Sequence, residues 1–347
     1  MTQTRQFISM RDAQWPFFVG VDLGGTGAKI GVIDNLGRPL SWLSIPTDAA
    51  KGPEAASQRI GQAVLKAIAD ADLQPAAIAR VGLGSAGILD TASGILVKPV
   101  NLKGWEMFPL REWVSAHCGL PVTLVNDANA AAYGEFWIGS GRDFRSMVFL
   151  TLGTGIGCGI IVDDTVIEGV NGHGAECGHI VIDYADNARM CGCGQRGHLE
   201  AYASATAVIR RMREALESER PSSMRRRIAD GAPLTPKLLA EEAEAGDAMS
   251  LELIAETARF LAVGIVNLMH TIDPSGVLLG GAMTFGGHDT TLGLRFLGWV
   301  KQEVNRRAFP MLAARTVIDF ATLGGDAGYI GAAGMARLEH GKMSRVI

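Results

Sequence analysis

The sequence predicts an α/β protein of two units, and three observations carry that prediction. Runs of β-branched residues alternate with helically spaced apolar residues along the chain. Two stretches, FFVGVDLGGTGAKIGVID (17–34) and RSMVFLTLGTGIGCGIIVDD (145–164), share one plan of strand, Gly/Thr turn and returning strand. The chain has 347 residues, room for two domains at roughly 100–200 residues each. That both halves open on the same kind of glycine hairpin hints at internal duplication.

After the first hairpin, EAASQRIGQAVLKAIADAD (54–72) places Ile60, Val64, Ala67 and Ile68 at helical spacing, and IARVGLGSAGILD returns to strand. LPVTLVNDANAAAYGEFWIG (120–139) reads as a short apolar strand followed by an alanine-rich helix. Asn126 and Asp127 fall at the junction, where such side chains cap free backbone N–H groups. From Leu251 the apolar positions recur at 254, 258, 261, 265, 268 and 272 and stop at Asp-Pro, which predicts a long core helix. GVLLGGAM (276–283) is a strand entering a diglycine turn, and GGDAGYIGAAGMARL (324–338) is a final helix of small residues.

Apolar residues make up 48% of the chain and charged residues 20%, with a net charge of −4. That balance argues for a globular protein and against a nucleic-acid partner, whose binders carry a basic stripe. The clusters RRMRE (210–214) and MRRR (224–227) read as solvated helix faces. The first 18 residues, MTQTRQFISMRDAQWPFF, lack the apolar core and cleavage site of a signal peptide. The longest uncharged run, 147–162, is too short and too rich in glycine to span a membrane. Five cysteines without an export signal imply a reducing cytoplasm, where a close pair signals metal more often than a disulfide.

Four glycine-rich turns remain. GLGSAG (82–87) fits a dinucleotide fingerprint, but ILDTASGILV after it reads as extended, and such a site needs a helix there. There is no P-loop signature. DLGGTGAK (22–29) and LGTGIGCG (152–159) each put glycine at a hairpin tip, where bare backbone N–H groups suit phosphate. The last is MCGCGQRGHLE (190–200), with two cysteines in one turn.

Taken in order, DLGGTGAKIGV, VNDANAAAYGE, LGTGIGCGII, NGHGAECGH and CGCGQRGHLE resemble the motifs of the ROK family of bacterial sugar kinases and related repressors. The resemblance runs from about residue 17 to 340. It implies the actin/hexokinase/heat-shock-ATPase-like fold of duplicated ribonuclease H-like domains, closing on ATP and a sugar. The implied domains are 1–126 completed by 325–347, and 127–324. In that family a His from E-x-G-H joins three cysteines around a structural zinc. The matching positions here are His179, Cys191, Cys193 and His198, the last standing where the family has cysteine. A Cys2His2 set closes a tetrahedral zinc site as well as Cys3His, so zinc is expected to be retained. The alternative is that the metal is lost and His198 packs on the turn. Cys118, Cys158 and Cys177 read as small core residues, Cys177 being a possible substitute ligand.

By the same resemblance Asn126, Glu176, His179 and Glu200 contact sugar hydroxyls, with Gly87 and Asn101 on the sugar's far side. Asp127 is the catalytic base and Asp22 holds Mg²⁺ on the nucleotide. Gly24, Gly25, Thr26, Gly153, Thr154 and Gly155 face its phosphates, and Gly280 and Gly281 its adenosine. The reaction implied is transfer of phosphate from ATP to the 6-hydroxyl of a hexose, with glucose preferred because VNLKGWEMFPLREW (100–113) looks like a stretch of bacterial glucokinases. N-acetylhexosamine, fructose and mannose are the alternative acceptors, and polyphosphate an alternative donor. A sugar-sensing repressor is disfavoured because Asp22 stands too near the start for a helix-turn-helix domain ahead of it. The family likeness also suggests a homodimer.

Overall fold

The computed structural model describes residues 5–99 and 101–344; residues 1–4 of the N-terminal stretch, Val100 and residues 345–347 lie outside it. The chain divides into two compact units, Met1–Asp143 with Thr165–Ala175 and Leu323–Ile347, and Phe144–Asp164 with Glu176–Thr322.

In the first unit, strands β1 (Phe17–Leu23), β2 (Gly27–Ile33), β3 (Pro39–Pro46), β4 (Ile78–Ser85) and β7 (Val122–Asn126) form one sheet in the order β3-β2-β1-β4-β7. β1 and β2 are antiparallel, as a short hairpin requires, whereas β4 and β7 run parallel to β1. β5 (Gly87–Asp90) and β6 (Ile95–Pro99) make a separate ribbon, so the segment after GLGSAG is extended as read from the sequence. Helix α1 (Pro53–Asp70) opens with proline at its first position and buries Ile60, Val64, Ala67 and Ile68. With α2 (Leu110–Cys118) it closes one face of the sheet in a core that includes Trp105 and Val114. Each large aliphatic side chain buried there contributes about 1.5–3 kcal/mol.

The opposite face is closed by α3 (Asp127–Trp137) and the C-terminal helix Ala327–Ser344. Here backbone meets backbone. A Cβ on Gly20 would lie 1.7 Å from the Tyr329 carbonyl oxygen, and one on Gly82 would lie 1.8 Å from that of Ala332. Because α3 packs on the C-terminal helix, the first unit extends to Asp143, past the boundary at 126 expected from the sequence.

In the second unit the hairpin of β8 (Ser146–Leu152) and β9 (Ile156–Val162) repeats that of β1 and β2. Gly276–Gly280 pairs parallel with β8, and Val317–Phe320 pairs parallel with Gly276–Gly280. The helix Ala248–Ile272 starts on an Asp247 side chain that accepts from Ser250 N at 2.9 Å. It ends at Asp273, whose φ is 51°, ahead of Pro274. Cys118, Cys158 and Cys177 are buried. Arg211 corrects the reading of its cluster as a solvated face. It is 4% exposed, paired with Glu256 at 2.6 Å, and also donates to Thr257 and to the carbonyls of Tyr202 and Leu253. Among the described residues no helix is long and apolar enough to cross a membrane.

Candidate functional site

In the first unit the parallel register aligns Leu23 with Ser85 and Ser85 with Asn126, so β1, β4 and β7 end at the same sheet edge. In sheets of this kind the carboxyl ends of parallel strands are where ligands bind. At that edge Gly24 N donates to Gly27 O at 3.0 Å, closing the tip of the first hairpin. Thr47, which sequence reasoning passed over, supports the tip by donating its hydroxyl to Gly24 O at 2.7 Å and its N–H to Thr26 O at 3.0 Å. Thr26 itself is exposed. A Cβ on Gly25 would stand 2.9 Å from Asn101, so glycine is what allows that loop to close on the tip. Asn101 has φ 62°, in the left-handed region that asparagine tolerates.

The Asp22 carboxylate is 26% exposed and lies 3.8 Å from Lys29 Nζ. Burial raises its pKa and Lys29 partly offsets the rise, so a further cation beside it would favour the ionised form. Lys29 is a second residue the motif search did not single out. Its signal was the alternation of β2, which turns position 29 to the same side as Gly27.

At the β7–α3 junction Asn126 has φ −69° and ψ 140°, a cap geometry. Its Oδ1 accepts from Ala128 N at 2.9 Å and Asn129 N at 3.2 Å, and its Nδ2 reaches Gly87 O at 3.5 Å. Asp127 is the first residue of α3, and its Oδ1 accepts from Ala128 N at 2.9 Å. The first unit therefore collects Asp22, Gly24, Gly25, Thr26, Gly87, Asn101, Asn126 and Asp127 along one edge.

The second unit collects the rest. Gly153 N donates to Gly155 O at 3.0 Å, and the tip is tied to the start of helix Ala205–Glu217 by Ala205 N donating to Gly153 O at 2.9 Å. Thr154 is exposed there, and its carbonyl accepts from the Thr206 hydroxyl at 2.8 Å. A Cβ on Gly155 would fall 2.3 Å from Glu200 Oε2, so glycine makes room for that carboxylate, which accepts from Ile156 N at 2.9 Å. Gly281, with φ 90°, packs on Leu152, leaving no room for a Cβ, while Gly280 faces the Phe149 ring.

His179, Cys191, Cys193 and His198 bring one ligand atom each within 4.8 Å of one another. The two Nδ1 atoms are 3.2 Å apart, Cys191 Sγ is 3.7 Å from His179 Nδ1, and Cys193 Sγ is 3.3 Å from His198 Nδ1. With Zn–N near 2.05 Å and Zn–S near 2.3 Å, a tetrahedral site separates its ligand atoms by about 3.3–3.8 Å. The donor set and its spacing thus fit zinc. Burial lowers the pKa of His198, with His179 adding to the effect, and so favours the neutral imidazole a metal needs. Burial also pushes the Cys191 thiol up to about 11. His179 presents its other nitrogen, Nε2, 4.0 Å from Glu176 Oε2, and Glu200 Oε1 lies 3.6 Å from Cys191 Sγ. Cys177 stands outside this set, its thiol interacting with Cys158 instead.

A family model described as "ROK family" matches residues 18–339. A glucokinase from Halalkalibacterium halodurans is 32% identical over 95% of this chain and 97% of its own length. Among solved structures, a ROK hexokinase from Thermus thermophilus matches with a TM-score of 0.80 and 31% identity, over 94% of this chain and 99% of that one. A ROK family glucokinase from Streptomyces griseus, in complex with glucose and AMPPNP, matches with a TM-score of 0.71 and 32% identity, over 93% and 99%.

Proposed function

The chain belongs to the ROK family and has the actin/hexokinase-like fold; from that premise we propose that it phosphorylates the 6-hydroxyl of a hexose with ATP, preferring glucose. The observation that carries this reading is the Asn126–Asp127 junction. A carboxylate opens a helix at the sheet edge that also bears the Asp22 hairpin, in a chain whose relatives include sugar kinases along their full length.

In this reading Asp127 accepts the proton of the 6-hydroxyl as that oxygen forms a bond to the γ-phosphorus. The bond from phosphorus to the bridging oxygen breaks, and ADP leaves with the electron pair. The helix N-terminus beside Asp127 favours a negative charge there. That makes it a weak base, which suffices because the phosphoryl transition state is loose and the proton can move late. Magnesium bound with the nucleotide supplies neutralisation of phosphate charge, and Asp22 is the residue that would hold it. The backbone tips at Gly24, Gly25 and Thr26 and at Gly153, Thr154 and Gly155 take phosphate oxygens, with Gly280 and Gly281 toward the adenosine. Asn126, Glu176, His179 and Glu200 orient the sugar, carboxylates being strong acceptors for vicinal hydroxyls. Gly87 and Asn101 complete the sugar's surroundings.

Zinc held by His179, Cys191, Cys193 and His198 would be structural, tying Glu176 and His179 to the helix that begins at Glu200. Purified protein should contain about one zinc per chain by elemental analysis. His198→Cys should retain it, whereas His198→Ala should lose it together with affinity for the sugar. Equal zinc in both variants would remove His198 from the ligand set, and well under one zinc in the unaltered protein would remove the metal from the account.

The reaction itself is tested by ADP release with Mg-ATP across glucose, mannose, fructose, N-acetylglucosamine and N-acetylmannosamine, with polyphosphate as a second donor. Glucose should lead in kcat/KM by about tenfold or more, the scale on which a pocket separates close analogues. No turnover with any sugar would overturn the kinase reading, and a lead for another sugar the choice of glucose.

A further inference from the structure

Arg5, ahead of β1, reaches across the first unit to the turn that precedes the C-terminal helix. Arg5 grips Asp326 in a forked pair, Nε at 3.0 and 2.9 Å from the two carboxylate oxygens and a terminal nitrogen at 2.6 Å from one of them. Its guanidinium also lies 3.7 Å from the centre of the Trp42 ring on β3. Asp326 ends the short turn Gly324–Asp326 that introduces the C-terminal helix. The same turn is held from its other side by Glu135, a fully buried residue of α3, whose Oε1 accepts from Leu323 N at 2.6 Å. Between these two clamps, the Gly325 carbonyl accepts from Lys29 Nζ at 2.6 Å.

That last bond sets a distance. A lysine ammonium left to itself beside a carboxylate closes to about 2.7–2.9 Å, and its four-carbon stem is flexible enough to do so. Here Lys29 stays 3.8 Å from Asp22, drawn instead to Gly325. Held there, the cation leaves the Asp22 oxygens open to a metal. Released, it would collapse onto Asp22 and compete with the metal for the same carboxylate.

We infer that Arg5 is a positioning residue for the nucleotide: through Asp326 it fixes the turn whose Gly325 carbonyl holds Lys29 off Asp22. The inference rests on the reading of Asp22 as the magnesium side of an ATP site. It predicts which kinetic constant moves. Arg5→Ala should raise KM for Mg-ATP about five- to tenfold, the scale for a residue acting through another, and raise the magnesium concentration needed for half-maximal rate. KM for the sugar should stay within about twofold. Arg5→Lys, which keeps the charge but not the fork, should fall between wild type and Arg5→Ala.

The deciding variant is the double substitution. If Arg5 works through Lys29, adding Arg5→Ala to Lys29→Ala should change KM for Mg-ATP no further. Additive effects, an equal rise in both KM values, or a lower melting temperature with KM for Mg-ATP unchanged would overturn the inference. Calorimetric titration of each variant with Mg-ATP reads the same ratios without turnover. Absence of sugar phosphorylation by the unaltered protein therefore sinks only the kinase reading, whereas unchanged Mg-ATP affinity in Arg5→Ala sinks only this one.

Discussion

Asp127→Asn should give a folded protein whose kcat for hexose phosphorylation is lower by about 10²–10⁴-fold, the usual share of a positioned general base. The fold should survive because the hydrogen bond this side chain accepts within its own helix is one asparagine can imitate. Asp127 Oδ1 accepts from Ala128 N, and an amide oxygen can accept the same bond. The helix keeps its cap, since Asn126 Oδ1 accepts from both Ala128 N and Asn129 N. What is lost locally is a negative charge in the first turn of α3, worth about 0.3–1 kcal/mol against the helix dipole. The melting temperature should therefore move by only a few degrees. An amide cannot take up the hydroxyl proton, so the rate should fall while KM for the sugar changes little. A variant that turns over within tenfold of the unaltered protein would reduce Asp127 to a structural residue of the α3 start.

Much of this could be read from the sequence because the signals are local. Each hairpin declares itself within one short stretch, as does the long helix ending at Asp273, and each motif sits where a strand turns into something else. The features that escaped depend on residues far apart in sequence. Arg211 looked solvated because Glu256 and Thr257, which receive it, arrive on another helix. Arg5 and Asp326 are separated by 321 positions. Lys29 carried only an alternation signal, and Thr47 no signal at all. The first unit's extension past 126 depends on a helix–helix contact, and the small residues of α3 and the C-terminal helix predict close packing without naming the partner. The donor set around His198 came from the family resemblance, and its compatibility with a tetrahedral site is a matter of distances that a motif does not supply.

Two substitutions in the C-terminal helix, of identical chemistry, should move stability in opposite directions. At Gly331 a Cβ would lie 1.6 Å from the Ala130 carbonyl oxygen and 2.8 Å from Gly134 N, both backbone atoms of α3. Backbone does not rotate aside as a side-chain end does, so Gly331→Ala must push the two helices apart. That displacement would loosen the contacts at Gly20 and Gly82, where the same helix rests on β1 and β4 at comparable closeness. Overpacking of this severity costs about 3 kcal/mol or more, against a gain of at most about 1 kcal/mol in helix propensity. At roughly 2–4 °C per kcal/mol, the melting temperature should fall by about 5–10 °C. At Gly341, ten residues further along the helix, a Cβ meets nothing within 4 Å. Gly341→Ala should add about 0.5–1 kcal/mol, because only the propensity term remains. The displacement at Gly331 should also reach the site, since a Cβ on neighbouring Gly328 would already stand 2.7 Å from the Asp22 carboxylate. Gly331→Ala should therefore weaken Mg-ATP binding below the melting transition, and Gly341→Ala should leave it unchanged. If both substitutions were neutral or stabilising, the close approach of the C-terminal helix to α3 would not be what holds the first unit together.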